Sequence, residues 1–161
     1  MTLEELNINP ELDLVLNRYI PVKPARVWRA WTRPEELMKW FCPRPWKVVE
    51  CRIDLRPGGE FYTQMAGPDG VAMPAEAGCF LEVVHERRLM FTDGLGPDYR
   101  PTGSGFMSAI VIMEPEGEGT RYISVARHGK AETRQQHEEM GFHHGWNAAL
   151  DQLIEMALAQ P

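Results

Sequence analysis

The chain has few cysteines, no basic run, no long apolar run and no repeat, and each absence removes a class of function. Cys42, Cys51 and Cys79 are odd in number and show neither a CxxC pair nor zinc-ribbon spacing. That argues against a disulfide framework or a metal site and for reduced thiols in the cytoplasm. A net charge of -6, with no stretch of lysine or arginine interleaved with aromatics, disfavours nucleic acid as a partner. No stretch approaches the roughly eighteen apolar residues of a membrane span, so no membrane insertion is expected. The acidic start MTLEELNINPELD has neither the basic nor the apolar region of a signal peptide. Gly103-Ser104-Gly105 lacks the lysine and the strand-to-helix context of a phosphate cradle and reads as a turn. No catalytic triad is apparent, and no cofactor is called for.

What is present fits one domain. With 161 residues, 43% of them apolar, the chain can bury one sizeable core, read here as an arm over residues 1–13 and a domain over 14–161. Leu14 to Ile20 reads as a strand, and Pro24 and Pro34 open two short helices, with Val27, Trp28 and Trp31 on one face of the first. After the breaker Cys42-Pro43-Arg44-Pro45, the alternation of Val49, Cys51, Ile53 and Leu55 with Glu50, Arg52 and Asp54 predicts a one-sided strand, with Cys51 buried beside Ile53. Further strands are expected over Glu60–Met65, Glu76–Val84, Arg88–Asp93, Phe106–Glu114 and Thr120–His128, separated by Gly- and Pro-rich turns. Clustered strands and a terminal helix indicate an α+β fold with an antiparallel sheet covered by helix on one face. Arg26, Arg29 and Arg33 read as a solvated face balanced by Glu35 and Glu36.

The segment HEEMGFHHGWNAALDQLIEMA, His137 to Ala157, carries the strongest pattern. At about 100° per residue, Phe142, Trp146, Ala149, Leu150, Leu153 and Ala157 share one stripe, extended by Glu139 and His143, whereas His137 and His144 face solvent. A capping box Thr133-x-x-Gln136 would start a single helix of about 25 residues, about 37 Å long, with Trp146, Leu150 and Leu153 buried against the sheet. A zincin site is not formed, because the fifth position of H-E-x-x-H is Gly141 and His137, His143 and His144 do not converge.

Five ordered segments, VWRAWTRPEELMKWFCP, DLRPGGEF, EVVHERRLMFTD, GTRYISVARH and HEEMGFHHGWNAALDQL, closely resemble the bacterial homologues of the C-terminal domain of the chaperone ATPase activator. These lie within the helix-grip superfamily of START-like domains (SRPBCC). The resemblance runs from Leu14 to Ala157 and implies a curved antiparallel sheet of about seven strands wrapped around a long C-terminal helix, with a cavity between them. One departure is Arg33, which stands where the family usually has an aspartate N-cap before Pro34.

Either face of Tyr122 to His128 could turn inward on hydrophobicity alone. The resemblance favours Tyr122, Ser124, Ala126 and His128. Small Ser124 and Ala126 beside Ala109 would leave a void, lined by His128, Tyr122 and His143 and walled by Phe61, Met65, Phe80, Met107 and Trp146. Trp40 and Phe41 would close its mouth. Each of these residues has a plainer reading, since strand aromatics and methionines are usually core and a buried His or Tyr usually satisfies a backbone group.

The leading expectation is binding of a small, largely apolar molecule in that cavity. One alternative is a cyclase- or hydrolase-type enzyme using His128, Tyr122 or His143 as acid or base, or His143 with Glu139 as a proton-transfer pair. A second is chaperone ATPase activation, disfavoured because the eukaryotic activator has an additional N-terminal domain. Homodimerisation is left open.

Overall fold

The computed structural model describes all 161 residues. β1 (Asp13–Ile20) leads into α1 (Pro24–Thr32) and α2 (Pro34–Leu37), followed by β2 (Lys47–Ile53), β3 (Glu60–Ala66), β4 (Gly78–Val84) and β5 (Arg88–Thr92). A small hairpin of β6 (Leu95–Gly96) and β7 (Arg100–Pro101) precedes β8 (Ser108–Glu116), β9 (Gly119–Arg127), α3 (Ala131–Glu139) and α4 (Phe142–Ala159). Seven strands form one curled antiparallel sheet in the order β1-β9-β8-β5-β4-β3-β2, so the first strand pairs with the last and the chain closes on itself.

The helices cover one face. Val27, Trp31, Leu37, Leu150 and Leu153 pack there against Leu16, Ile20, Phe80, Leu89, Val111, Met113 and Tyr122. The other face is not left bare, because Leu3, Leu6 and Ile8 of the N-terminal arm lie over Ile110, Ile112, Ile123 and Val125. Residues 109–113 of β8 and 122–126 of β9 are therefore buried on both sides, which is why hydrophobicity alone did not mark the inward face of β9.

Several local expectations change. A register shift in the β2–β3 pair between Val48 and Glu50 buries Val48 and turns Val49 outward; Leu55 lies beyond the strand, and Cys51 and Ile53 are only half-buried. β8 starts two residues late because the amides of Phe106 and Met107 both donate to Asp93 Oδ1 (2.8 and 3.1 Å) rather than to a strand. Arg26 is buried, its guanidinium 2.9 Å from Glu36 and its Nε donating to the Gln160 carbonyl, so it ties α1 to the chain end instead of facing solvent. Arg33 is extended and supplies no side-chain cap.

The largest change is in the terminal helix. It is two helices, broken at Gly141, whose φ of +96° is open to glycine and costly for other residues. The start also differs, since α3 begins at Ala131 and Thr133 lies inside its first turn. The break resets the helical phase between His137 and Trp146. His137, placed in solvent by continuous periodicity, is buried, and His143 and Glu139, placed on the inner stripe, are exposed and no longer share a helix.

Candidate functional site

Between α4 and the covered face of the sheet lies a cavity of about 520 Å³. Trp31 comes from α1, Trp40 to Pro43 from the segment after α2, Met65 from β3, Phe91 from β5, Tyr122 and Ser124 from β9, and Trp146, Ala149 and Leu150 from α4. Trp46 and Met140 reach it while remaining exposed, and so mark its mouth. No Asp, Glu, Lys or Arg side chain lines it.

Of the ten residues expected at the site, Trp40, Met65, Met107, Tyr122, Ser124 and Trp146 line the cavity. Phe61 and Phe80 do not. They stack on each other at 5.0 Å one layer behind, where Phe61 meets Phe91 edge-on at 4.7 Å. His128 is also a layer back, and His143 sits on the outer side of α4. Ala109 and Ala126 are paired across the β8–β9 ladder, and Ala126 is filled over by Leu14 and Phe142, so neither creates the void. Trp146 is half-buried, with a face toward the cavity. Trp40 is buried wall rather than gate.

Sequence reasoning missed Trp31, Phe91, Phe142 and above all His137. The available signal was Gly141, a lone glycine inside a helical pattern. Gln152 was also missed. Its Nε2 donates to the carbonyls of Trp40 (3.1 Å) and Cys42 (2.7 Å), and its Oε1 accepts from the Arg44 amide (2.9 Å), so one side chain of α4 holds the cavity-lining segment 40–44 in place.

Besides the Cys42 thiol and the indole N–H groups of its tryptophans, three polar groups interrupt the apolar wall. Tyr122 accepts from Trp31 Nε1 at 3.1 Å, and its own proton has no acceptor. Complete burial raises its pKa, so it stays a phenol and a donor. The Ser124 hydroxyl is buried with no partner at all. His137 Nδ1 lies 2.8 Å from His128 Nε2, and His128 Nδ1 lies 2.8 Å from the Leu12 carbonyl. Burial and the neighbouring His128 push the His137 pKa down to about 4, so the ring is neutral at pH 7. No group of three or more His, Cys, Asp or Glu side chains is placed to hold a metal ion.

The three cysteines are free thiols. Cys42 lines the cavity, and burial pushes its pKa up to about 11, which leaves it protonated and a poor nucleophile. Native-state alkylation should accordingly be slow at Cys42 and Cys79, whereas all three thiols should react quickly in denaturant. Intact mass against time reads the difference, and fast native labelling of Cys42 would contradict the closed wall.

A curled antiparallel sheet closed over a C-terminal helix, with an apolar cavity between the two, defines a helix-grip domain. The profile of the family described as activator of Hsp90 ATPase homolog 1-like protein matches residues 21–157, and the chain belongs to that family. A solved structure from Nitrosomonas europaea is 48% identical, with a TM-score of 0.90 over 95% of this chain and 97% of that one. A protein from Arthrobacter aurescens is 26% identical (TM-score 0.77; 94% and 88% covered). A protein from Silicibacter pomeroyi carrying the family's name is 27% identical (TM-score 0.69; 92% and 99% covered). No curated protein is detectably similar to the chain. The fold commonly binds hydrophobic ligands, and no helix here is long and apolar enough to cross a membrane.

Proposed function

We propose that this protein binds a small, largely apolar molecule carrying a polar group, held between α4 and the sheet in a cytoplasmic setting that keeps its thiols reduced. The observation that carries the reading is a wall of tryptophan, phenylalanine and methionine that nevertheless holds the unpaired, buried hydroxyl of Ser124. Leaving such a group without a partner costs about 1 to 3 kcal/mol, a cost that a ligand removes. Methionines at Met65, Met107 and Met140 suit a surface that repacks around its guest. Trp40, Met65, Met107, Tyr122, Ser124 and Trp146 are the proposed contacts, joined by Trp31 and His137, with Phe61 and Phe80 supporting them from behind.

Acid–base catalysis fits less well. The cavity's two titratable rings are displaced in opposite directions from neutrality, His137 downward and Tyr122 upward, whereas an efficient acid or base titrates near working pH. His143 and Glu139, the other candidates, stand in solvent.

Filling the space tests the reading. A Cβ at Gly145 would meet only Pro43 Cγ, at 3.8 Å, so Gly145→Leu can send its side chain into the cavity without a backbone clash. Removing a helix-interior glycine also adds about 0.5 to 1 kcal/mol of helix stability. The variant should keep its circular dichroism and melt no lower than wild type, yet bind Nile red at least about tenfold more weakly than wild type. Equal dye affinity would overturn cavity binding and leave the surface, and a protein partner such as the family name points to, as the better account.

A further inference from the structure

The hydrogen-bond chain behind the cavity fixes the kind of polar group the ligand must carry. It starts at the Leu12 carbonyl, which can only accept, so His128 Nδ1, 2.8 Å away, carries a hydrogen. No carboxylate lies within ion-pair distance of His128, and on the neutral ring Nε2 is then a lone pair. His137 Nδ1, 2.8 Å from that lone pair, must then be the donor. The remaining nitrogen, His137 Nε2, is therefore an acceptor on a ring that forms part of the cavity wall, and it has no hydrogen-bond partner in the protein. Phe106, Phe142 and Trp146 pack around the ring at centroid distances of 4.8, 5.2 and 5.9 Å and hold its orientation.

The wall thus presents one acceptor-only nitrogen together with the hydroxyls of Tyr122 and Ser124, and no charge of either sign. A carboxylate has no hydrogen to give Nε2 and would lose its solvation with no cation to replace it. An ammonium would find no anion. An ether or ketone could accept from a hydroxyl but would leave Nε2 unpaired. A hydroxyl both donates and accepts. We propose that the ligand is an uncharged phenol or alcohol with an apolar body, whose O–H donates to His137 Nε2. The inference rests on the cavity-binding reading above and narrows it to a chemical class.

Four probes sharing one ring system test it by titration calorimetry: 2-naphthol, 2-methoxynaphthalene, naphthalene and 2-naphthoate. Wild type should bind 2-naphthol about tenfold or more tightly than the methyl ether, with 2-naphthoate weakest. In His137→Phe, which keeps an aromatic ring in place, the preference for naphthol over its ether should vanish while affinity for naphthalene persists. Equal binding of naphthol and its ether to wild type would overturn the hydroxyl class and leave cavity binding standing. Tighter binding of 2-naphthoate would do the same. Failure of all four to bind would overturn both readings. Nitrogen-15 spectra of the histidine rings in wild type give a check that does not depend on the variant folding. His137 should be the Nδ1-protonated tautomer, with an Nε2 resonance that moves when 2-naphthol is added and stays put with the ether. An Nε2-protonated ring would overturn the inference.

Discussion

Replacing Gln152 by leucine is expected to destabilise the protein by about 2 to 4 kcal/mol and to loosen one wall of its cavity. The side chain keeps its volume, so the effect is in hydrogen bonds. The carbonyls of Trp40 and Cys42 lose their donor, and the Arg44 amide loses its acceptor. Gln152 is buried, so water cannot simply take its place. The same three bonds set the position of Trp40, Cys42 and Pro43 at the cavity, and ligand affinity should fall along with stability. Gln152→Glu makes the test sharper. The carboxylate can still accept from Arg44 but would face two carbonyls with no hydrogen to donate, so it should be at least as damaging as leucine despite its near-identical shape. Urea unfolding measures the stability change, and the native alkylation rate of Cys42 measures the local opening. A Gln152→Leu protein within about 0.5 kcal/mol of wild type, with Cys42 still protected, would contradict the role assigned here.

Sequence periodicity carried the succession of strands and helices, because that depends on patterns over several residues and on turns marked by Gly and Pro. The inner face of β9 came instead from the family resemblance, since residues 122–126 are buried on both faces. Tyr122 and Ser124 face the cavity as expected. The pattern failed wherever one residue changed the phase. The bulge at Val49 exchanged the two faces at the start of β2, and Gly141 exchanged His137 for His143 at the site. Gln152 was hidden for a different reason. Its partners are backbone atoms more than a hundred positions away, and nothing in the local sequence distinguishes a glutamine that caps a distant segment from a solvated one. Phe61 and Phe80 were read correctly as inward, but a single sequence cannot separate the layer that touches a cavity from the layer behind it.

Buried His137 should make this protein markedly less stable in mild acid. The His137 pKa is about 4 in the folded state, displaced by burial first and by His128 second, against an ordinary value of 6.5. Above pH 6.5 both folded and unfolded chains hold this ring neutral, and its full contribution is present. As pH falls below 6.5 the unfolded chain takes up a proton that the native state refuses, so unfolding becomes progressively more favourable. The loss stops growing once the native ring also protonates, near pH 4. The window is therefore about pH 6.5 to 4, and the loss across it should be about 2 to 3 kcal/mol. Among carboxylates, Glu82 is held below its ordinary value by the hydrogen bond from Arg88, so it adds its own loss only at the acid end of that window. His137 is packed among Phe106, Phe142 and Trp146 with His128 as its titratable neighbour, so no opposite charge offsets the effect. Urea midpoints at pH 7.5, 6 and 5 should fall steadily for wild type, and His137→Phe should flatten that slope. A wild-type midpoint unchanged between pH 7.5 and 5 would mean that the ring is not held neutral, and the acceptor assigned to the cavity wall would go with it.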